Sequence, residues 1–106
     1  MIAFNKELFE KNTALSGYTL VDFWAPWCVY CRRIAPALEK FSQEQEGRLV
    51  VGKVNIDDEP LLAQKEGIEV IPTLILYKDG KAVSSIVAPE SKAAIEEFVR
   101  EAMSKQ

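Results

Sequence analysis

The chain is predicted to fold as an α/β three-layer sandwich with a mixed central sheet. Three observations predict it. Apolar runs of strand length alternate with segments of helical period, in the order β-α-β-α-β-α-β-β-α. The last two strand runs are separated by Asp79-Gly80, a two-residue turn signal that returns a strand antiparallel to its predecessor. The length, 106 residues, suits one domain spanning 1–106 and burying about two-thirds of its unfolded surface.

Residues 1–4 are short and apolar and read as an edge strand. Asn5 is a good N-cap for a short amphipathic helix carrying Leu8, Phe9 and residues 12–15, closed near Gly17. Residues 18–24 form a strand buried on both faces, with one polar intruder, Asp22. The pattern after the cysteines is a helix to about Gln45, with Ile34, Ala35, Leu38 and Phe41 on one face; Pro36 inside it lacks an N–H and is expected to kink it. Gly47 closes that helix. Residues 49–56 are a second buried strand, with Lys53 inside. Asp57-Asp58-Glu59-Pro60 opens a short helix with an acidic first turn, ended by Gly67. Residues 73–77 and 82–87 form the hairpin, and Ser91 caps a final helix that buries Ile95, Phe98, Val99 and Ala102.

Composition excludes several classes. With 48% hydrophobic and 27% charged residues the chain is neither a disordered nor a membrane sequence. A net charge of -3 with scattered basic residues leaves no footprint for nucleic acid. No run is long enough to span a bilayer, and residues 1–7 lack a basic region followed by an apolar one, so a cytoplasmic location is expected. A stable structural disulfide is unusual there.

The only two cysteines, Cys28 and Cys31, lie in Trp24-Ala25-Pro26-Trp27-Cys28-Val29-Tyr30-Cys31. Helical residues i and i+3 are about 5–6 Å apart, within the roughly 4.4–6.8 Å that a disulfide allows between Cα atoms. The pair can open and close with little backbone movement. Half a zinc site and two inert buried cysteines are the competing readings. Tetrahedral zinc takes four Cys or His ligands, and the chain has no His and no third Cys, so no metal is expected. Asp22, in a buried strand, must be held neutral or find a partner.

Several separate motifs in one order resemble the thioredoxin family over nearly the full length: Val21-Asp22-Phe23-Trp24-Ala25-Pro26-Trp27-Cys28, Cys31, Pro36, Lys53-Val54-Asn55-Ile56-Asp57, Ile71-Pro72-Thr73-Leu74 and Lys78-Asp79-Gly80. The resemblance implies a thioredoxin fold whose hairpin strands run antiparallel to the rest, with a cis peptide before Pro72 facing the cysteines across a substrate groove. It implies that Cys28, at a helix N-terminus, attacks a target disulfide and that Cys31 resolves the mixed disulfide. Asp22 then exchanges a proton with the resolving thiol, and Lys53 tunes it. Ile71 offers its backbone to an extended substrate, and Trp27 forms groove wall with Trp24 packed nearby, unless either simply fills core. Pro26 and Pro36 are implied as structural residues near the site.

Two departures touch the partner face. Val29-Tyr30 stands where common members carry Gly-Pro, which implies a less strongly reducing site; Tyr30 matches a tyrosine of many glutaredoxins. Val87-Ala88-Pro89 places Ala88 where the family has glycine, in a loop beside the groove. The expected protein is a monomeric protein-disulfide reductase with no bound cofactor, recharged by a thioredoxin reductase. A glutaredoxin-like or mildly oxidising exchanger and a non-catalytic binding subunit are the alternatives.

Overall fold

A computed structural model describes all 106 residues. Its elements are β1 (Ile2–Ala3), α1 (Lys6–Thr13), β2 (Tyr18–Trp24), α2 (Val29–Glu44), β3 (Val50–Asn55), α3 (Pro60–Lys65), β4 (Thr73–Lys78), β5 (Lys81–Val87) and α4 (Lys92–Ser104). The predicted order holds throughout.

The five strands form one sheet in the order β1-β3-β2-β4-β5. β1, β3 and β2 pair in parallel; β4 is antiparallel to β2, and β5 is antiparallel to β4. One expectation needs correction. Only β4 runs against the rest, because β5, reversed by the hairpin, points the same way as β1, β2 and β3. The direction of β4 brings its first residue, Thr73, opposite Phe23 near the end of β2. A parallel β4 would start at the other edge of the molecule, about 20 Å away for six residues at 3.3 Å each.

Local chemistry accounts for most boundaries. Asn5 Oδ1 accepts the Leu8 N–H at 2.8 Å, and Ser91 Oγ accepts the Ala94 N–H at 3.1 Å. Asp79 (φ 53°) and Gly80 (φ 79°) both take the left-handed backbone that a tight hairpin turn demands. Three details differ from expectation. α1 ends at Thr13, short of Gly17, and buries Phe9 and Thr13 while Leu8 and Leu15 stay exposed. Asp57, Asp58 and Glu59 precede α3, whose first residue is Pro60, so the helix's own first turn carries no acid. α2 starts earlier than its apolar pattern, at Val29, and continues through Pro36.

Strand alternation sorts the core into two layers. Leu20, Val51, Leu74 and Leu76 pack against Ile34, Leu38 and Phe41 of α2 and Ile95, Val99 and Ala102 of α4. Val21, Phe23, Val54, Ile75 and Tyr77 pack on the other face with Phe9 of α1 and Leu62 of α3. Asp22 and Lys53 are register partners on adjacent strands. By the same alternation each shares the face of Leu20 and Val51, beneath α2. The buried Tyr77 donates its hydroxyl to Glu66 Oε1 at 2.7 Å, tying the end of α3 to β4. Burial first, and Glu66 second, push that phenol far above its usual pKa, so it stays protonated.

The edge strand depends on one glycine. A Cβ built on Gly52 would lie 2.2 Å from the Phe4 ring, and Phe4 is 3% exposed with its N–H on the Lys53 carbonyl. Gly52→Ala is therefore expected to push Phe4 out of its seat and lower stability by about 1–3 kcal/mol, the usual cost of overpacking. Urea unfolding checks it; an unchanged midpoint would show that the seat of Phe4 against β3 contributes nothing to stability.

Candidate active site

The site lies where β2 hands over to α2. The Cys28 N–H is held on the Ala25 carbonyl at 3.1 Å, and Cys28 itself takes an extended conformation (φ -83°, ψ 110°) as the N-cap of α2. Its Sγ accepts the N–H of Cys31 at 3.1 Å. This is the bond that a serine or aspartate oxygen usually makes at a helix start, satisfying one of the amides that the first turn leaves free. The two sulfurs are joined as a disulfide, with Cα atoms 5.2 Å apart. Both cysteines are buried, Cys28 (8% exposed) less completely than Cys31 (2%).

Around the pair pack Ala25, Trp24, Tyr30, Ile56 and Ile71. The Ile71–Pro72 peptide is cis, and the Ile71 carbonyl oxygen lies 3.9 Å from Cys28 Sγ. Thr73 Oγ1 donates to the Val70 carbonyl and closes the turn that presents Pro72. The Pro72 carbonyl accepts the Ala88 N–H at 2.9 Å, and Val87 is the ladder partner of Thr73. Thus Ile71, Pro72, Val87 and Ala88 are gathered at one rim with the cysteines. Trp27, Val29, Val70 and Val87 are all more than half exposed, leaving apolar surface on that rim. Ala88 has φ 47°, a left-handed backbone held by a residue with a Cβ.

The acid and the lysine fall beneath the helix. Asp22 is 4% exposed, and its Oδ1 has no hydrogen-bond partner. Burial drives its pKa from 3.8 up to about 7, against a smaller downward pull from the Lys53 charge. Lys53 makes no ion pair with it; its ammonium sits 5.1 Å from the centroid of the Trp24 ring. Trp24 has its indole N–H buried without a partner.

Two of the sequence-derived residues fall at the margin. Pro26 is exposed and contributes its carbonyl to Arg32 Nη1 at 3.1 Å. Pro36 is exposed two turns into α2, away from the sulfurs, because position 36 falls on the outer face of the helix. Two residues of the site, Asp57 and Arg33, escaped sequence reading, and Pro89, expected on the partner face, proves to be tied to Tyr30. Asp57 accepts the Trp27 indole N–H at 3.0 and 3.2 Å, Pro89 accepts the Tyr30 hydroxyl, and Arg33 lies 5.9 Å from the centroid of the Tyr30 ring. Only Asp57 had a signal, as an acid just past a strand end.

A family model for thioredoxin matches residues 1–101. The chain belongs to the thioredoxin family. It is 39% identical over 92 residues to thioredoxin 1 of Nostoc sp., covering 87% of this chain and 82% of that one. Thioredoxin 1 of Synechococcus elongatus matches to the same extent. A thioredoxin of Pyropia yezoensis is 37% identical over 93 residues, 88% of this chain and 83% of its own. With Cys28 and Cys31 bonded at the helix start, the protein is a thiol–disulfide oxidoreductase. As in thioredoxins generally, its counterparts are disulfide-bearing proteins and a reductase. No helix is long and apolar enough to cross a membrane.

Proposed function

We propose that the protein acts as a monomeric, single-domain protein-disulfide reductase of the cytoplasm, carrying electrons from a thioredoxin reductase and contributing to cell redox homeostasis. Cys28 is the attacking thiol. Its thiolate displaces one sulfur of a target disulfide and forms a Cys28–target disulfide, releasing a target thiolate. Cys31 then attacks Cys28 Sγ, re-forming the intramolecular disulfide and releasing the second target thiolate. Two electrons pass to the target. Asp22, held near neutrality in pKa, takes the Cys31 proton as that thiol becomes a nucleophile and returns it in the reverse direction, while Lys53 limits how far the acid's pKa rises. Ile71, Pro72, Trp27, Val87 and Ala88 line the groove that receives the target segment.

The observation that carries this reading is the N–H of Cys31 on Cys28 Sγ at the N-terminus of α2. When the disulfide opens, that amide and the helix dipole favour the thiolate of Cys28 by about 2–3 kcal/mol together. Such depressed thiol pKa values are the known behaviour of thioredoxins. Nucleophilicity falls with basicity, so about half of the logarithmic gain in thiolate survives as rate. Reduced protein at pH 6 is therefore expected to alkylate at Cys28 about fivefold to eightfold faster than an unstructured peptide thiol, the advantage narrowing to about twofold to threefold at pH 7. Equal rates would remove the basis for the mechanism.

Val29-Tyr30 in place of Gly-Pro favours a less strongly reducing poise, and so a second reading as a mild exchanger. Equilibrating the Cys28–Cys31 pair with glutathione reads it. A poise equal to that of Gly-Pro members would discard the second reading.

A further inference from the structure

We propose that the Tyr30 hydroxyl latches the β5–α4 loop to the start of the cysteine helix, and that this latch decides how well an extended protein segment, as against a small disulfide, reaches Cys28. The inference rests on the reading of Cys28 as attacking thiol and names Tyr30 as a positioning residue for specificity.

Tyr30 lies between the two cysteines, yet its hydroxyl donates to the Pro89 carbonyl, 59 residues further on, at 3.1 Å. Pro89 is buried and Tyr30 half-buried, so this bond is partly shielded from water. The loop it reaches is fixed at three successive points. Val87 pairs with Thr73, the Ala88 N–H is on the Pro72 carbonyl, and the Pro89 carbonyl is on Tyr30. The first two tie the loop to β4 and its lead-in. The third is its only hydrogen bond to α2, the element that carries both sulfurs.

The loop has reason to need holding. Ala88, at φ 47°, sits in a backbone region that residues with a Cβ leave when nothing constrains them. Its neighbour Val87 is 52% exposed on the rim beside the cysteines. A protein segment crossing the groove must touch that wall, and a wall already fixed costs less ordering on binding. A small disulfide needs Cys28 and little else. The ring of Tyr30 is held separately: it packs on the cysteine cluster, and the Arg33 guanidinium approaches it at 5.9 Å. Removing the hydroxyl alone therefore releases the loop from α2, with its ties to β4 and Pro72 intact, and leaves the ring in place.

The test is Tyr30→Phe, assayed in the reduced form with insulin disulfides and with the small aromatic disulfide DTNB. The net value of one neutral hydrogen bond corresponds to about twofold to tenfold in an equilibrium. The ratio of kcat/KM for insulin to that for DTNB is expected to fall by that factor. Amide exchange of Ala88 in the free protein is expected to accelerate by the same factor, which a purely structural loss elsewhere would not reproduce. Pro89→Gly, which loosens the same loop while keeping Tyr30, should lower the ratio as well. An unmoved ratio, or unmoved Ala88 exchange, overturns the latch. A wild-type protein that reduces neither substrate would instead sink the assignment of Cys28 itself.

Discussion

Cys31→Ser protein, reduced and mixed with a disulfide-bearing target, is expected to stop at a covalent Cys28–target adduct and to lose at least about a thousandfold in turnover. The first step needs only Cys28, whose environment at the N-cap is unaltered by the change. The second step is an intramolecular attack across one helical turn, with the Cα atoms 5.2 Å apart. Intramolecular attack in good geometry has effective molarities of about 10⁵–10⁸ M, far beyond what a millimolar external thiol replaces. Mass spectrometry under non-reducing conditions reads the adduct. Cys28→Ser gives the opposite expectation, since Cys31 is 2% exposed and meets no bulky target. An adduct formed equally by both variants would reverse the order of attack proposed above.

Asp22→Asn should make the oxidised protein more stable at pH 8 and leave it nearly unchanged at pH 4. The carboxyl has a pKa of about 7 when folded, against 3.8 ordinarily. The unfolded chain thus releases this proton more readily than the folded one. Its folding contribution is intact below pH about 4 and is lost as pH rises toward and through 7. At 1.36 kcal/mol per pKa unit, the loss amounts to about 4 kcal/mol in all. The asparagine carries no such slope, so urea midpoints of the two proteins should diverge steadily between pH 4 and 8. A gap independent of pH would mean that Asp22 has the same pKa in the folded and the unfolded chain, against the burial seen here. A cost of this size at a position that Leu or Val would fill well is what a proton-handling role would explain.

Much of this architecture is legible in the residues because local chemistry decides it. Asn5 and Ser91 cap helices as their side chains allow, and Asp79-Gly80 makes the left-handed turn that its types favour. The buried position of Asp22 follows from the apolar residues on either side of it in β2. The direction of β4 is not legible in the same way. It depends on which flank of β2 the chain reaches after α3, and no single residue in 66–72 encodes that choice. Leu8 and Leu15 mislead for a related reason: a helix as short as α1 buries only a narrow stripe and stops at Thr13, so Leu8 on its outer face and Leu15 beyond its end remain in water. At the site, Cys28 and Cys31 announce themselves by spacing. The bond from Tyr30 to Pro89 does not, because its acceptor is a backbone carbonyl, which every residue possesses.

The buried acid has one more consequence. The chain contains no histidine, and in the oxidised form both thiols are tied up. A titration of that form across neutrality, followed through carboxyl absorption, therefore reads a single interior acid, since the α-amino group that shares this pH range gives no carboxyl band and there is no imidazole. The molecule becomes its own one-site proton gauge, readable by carboxyl infrared absorption without isotopic labels, and opening the disulfide adds its thiols as a separate wave.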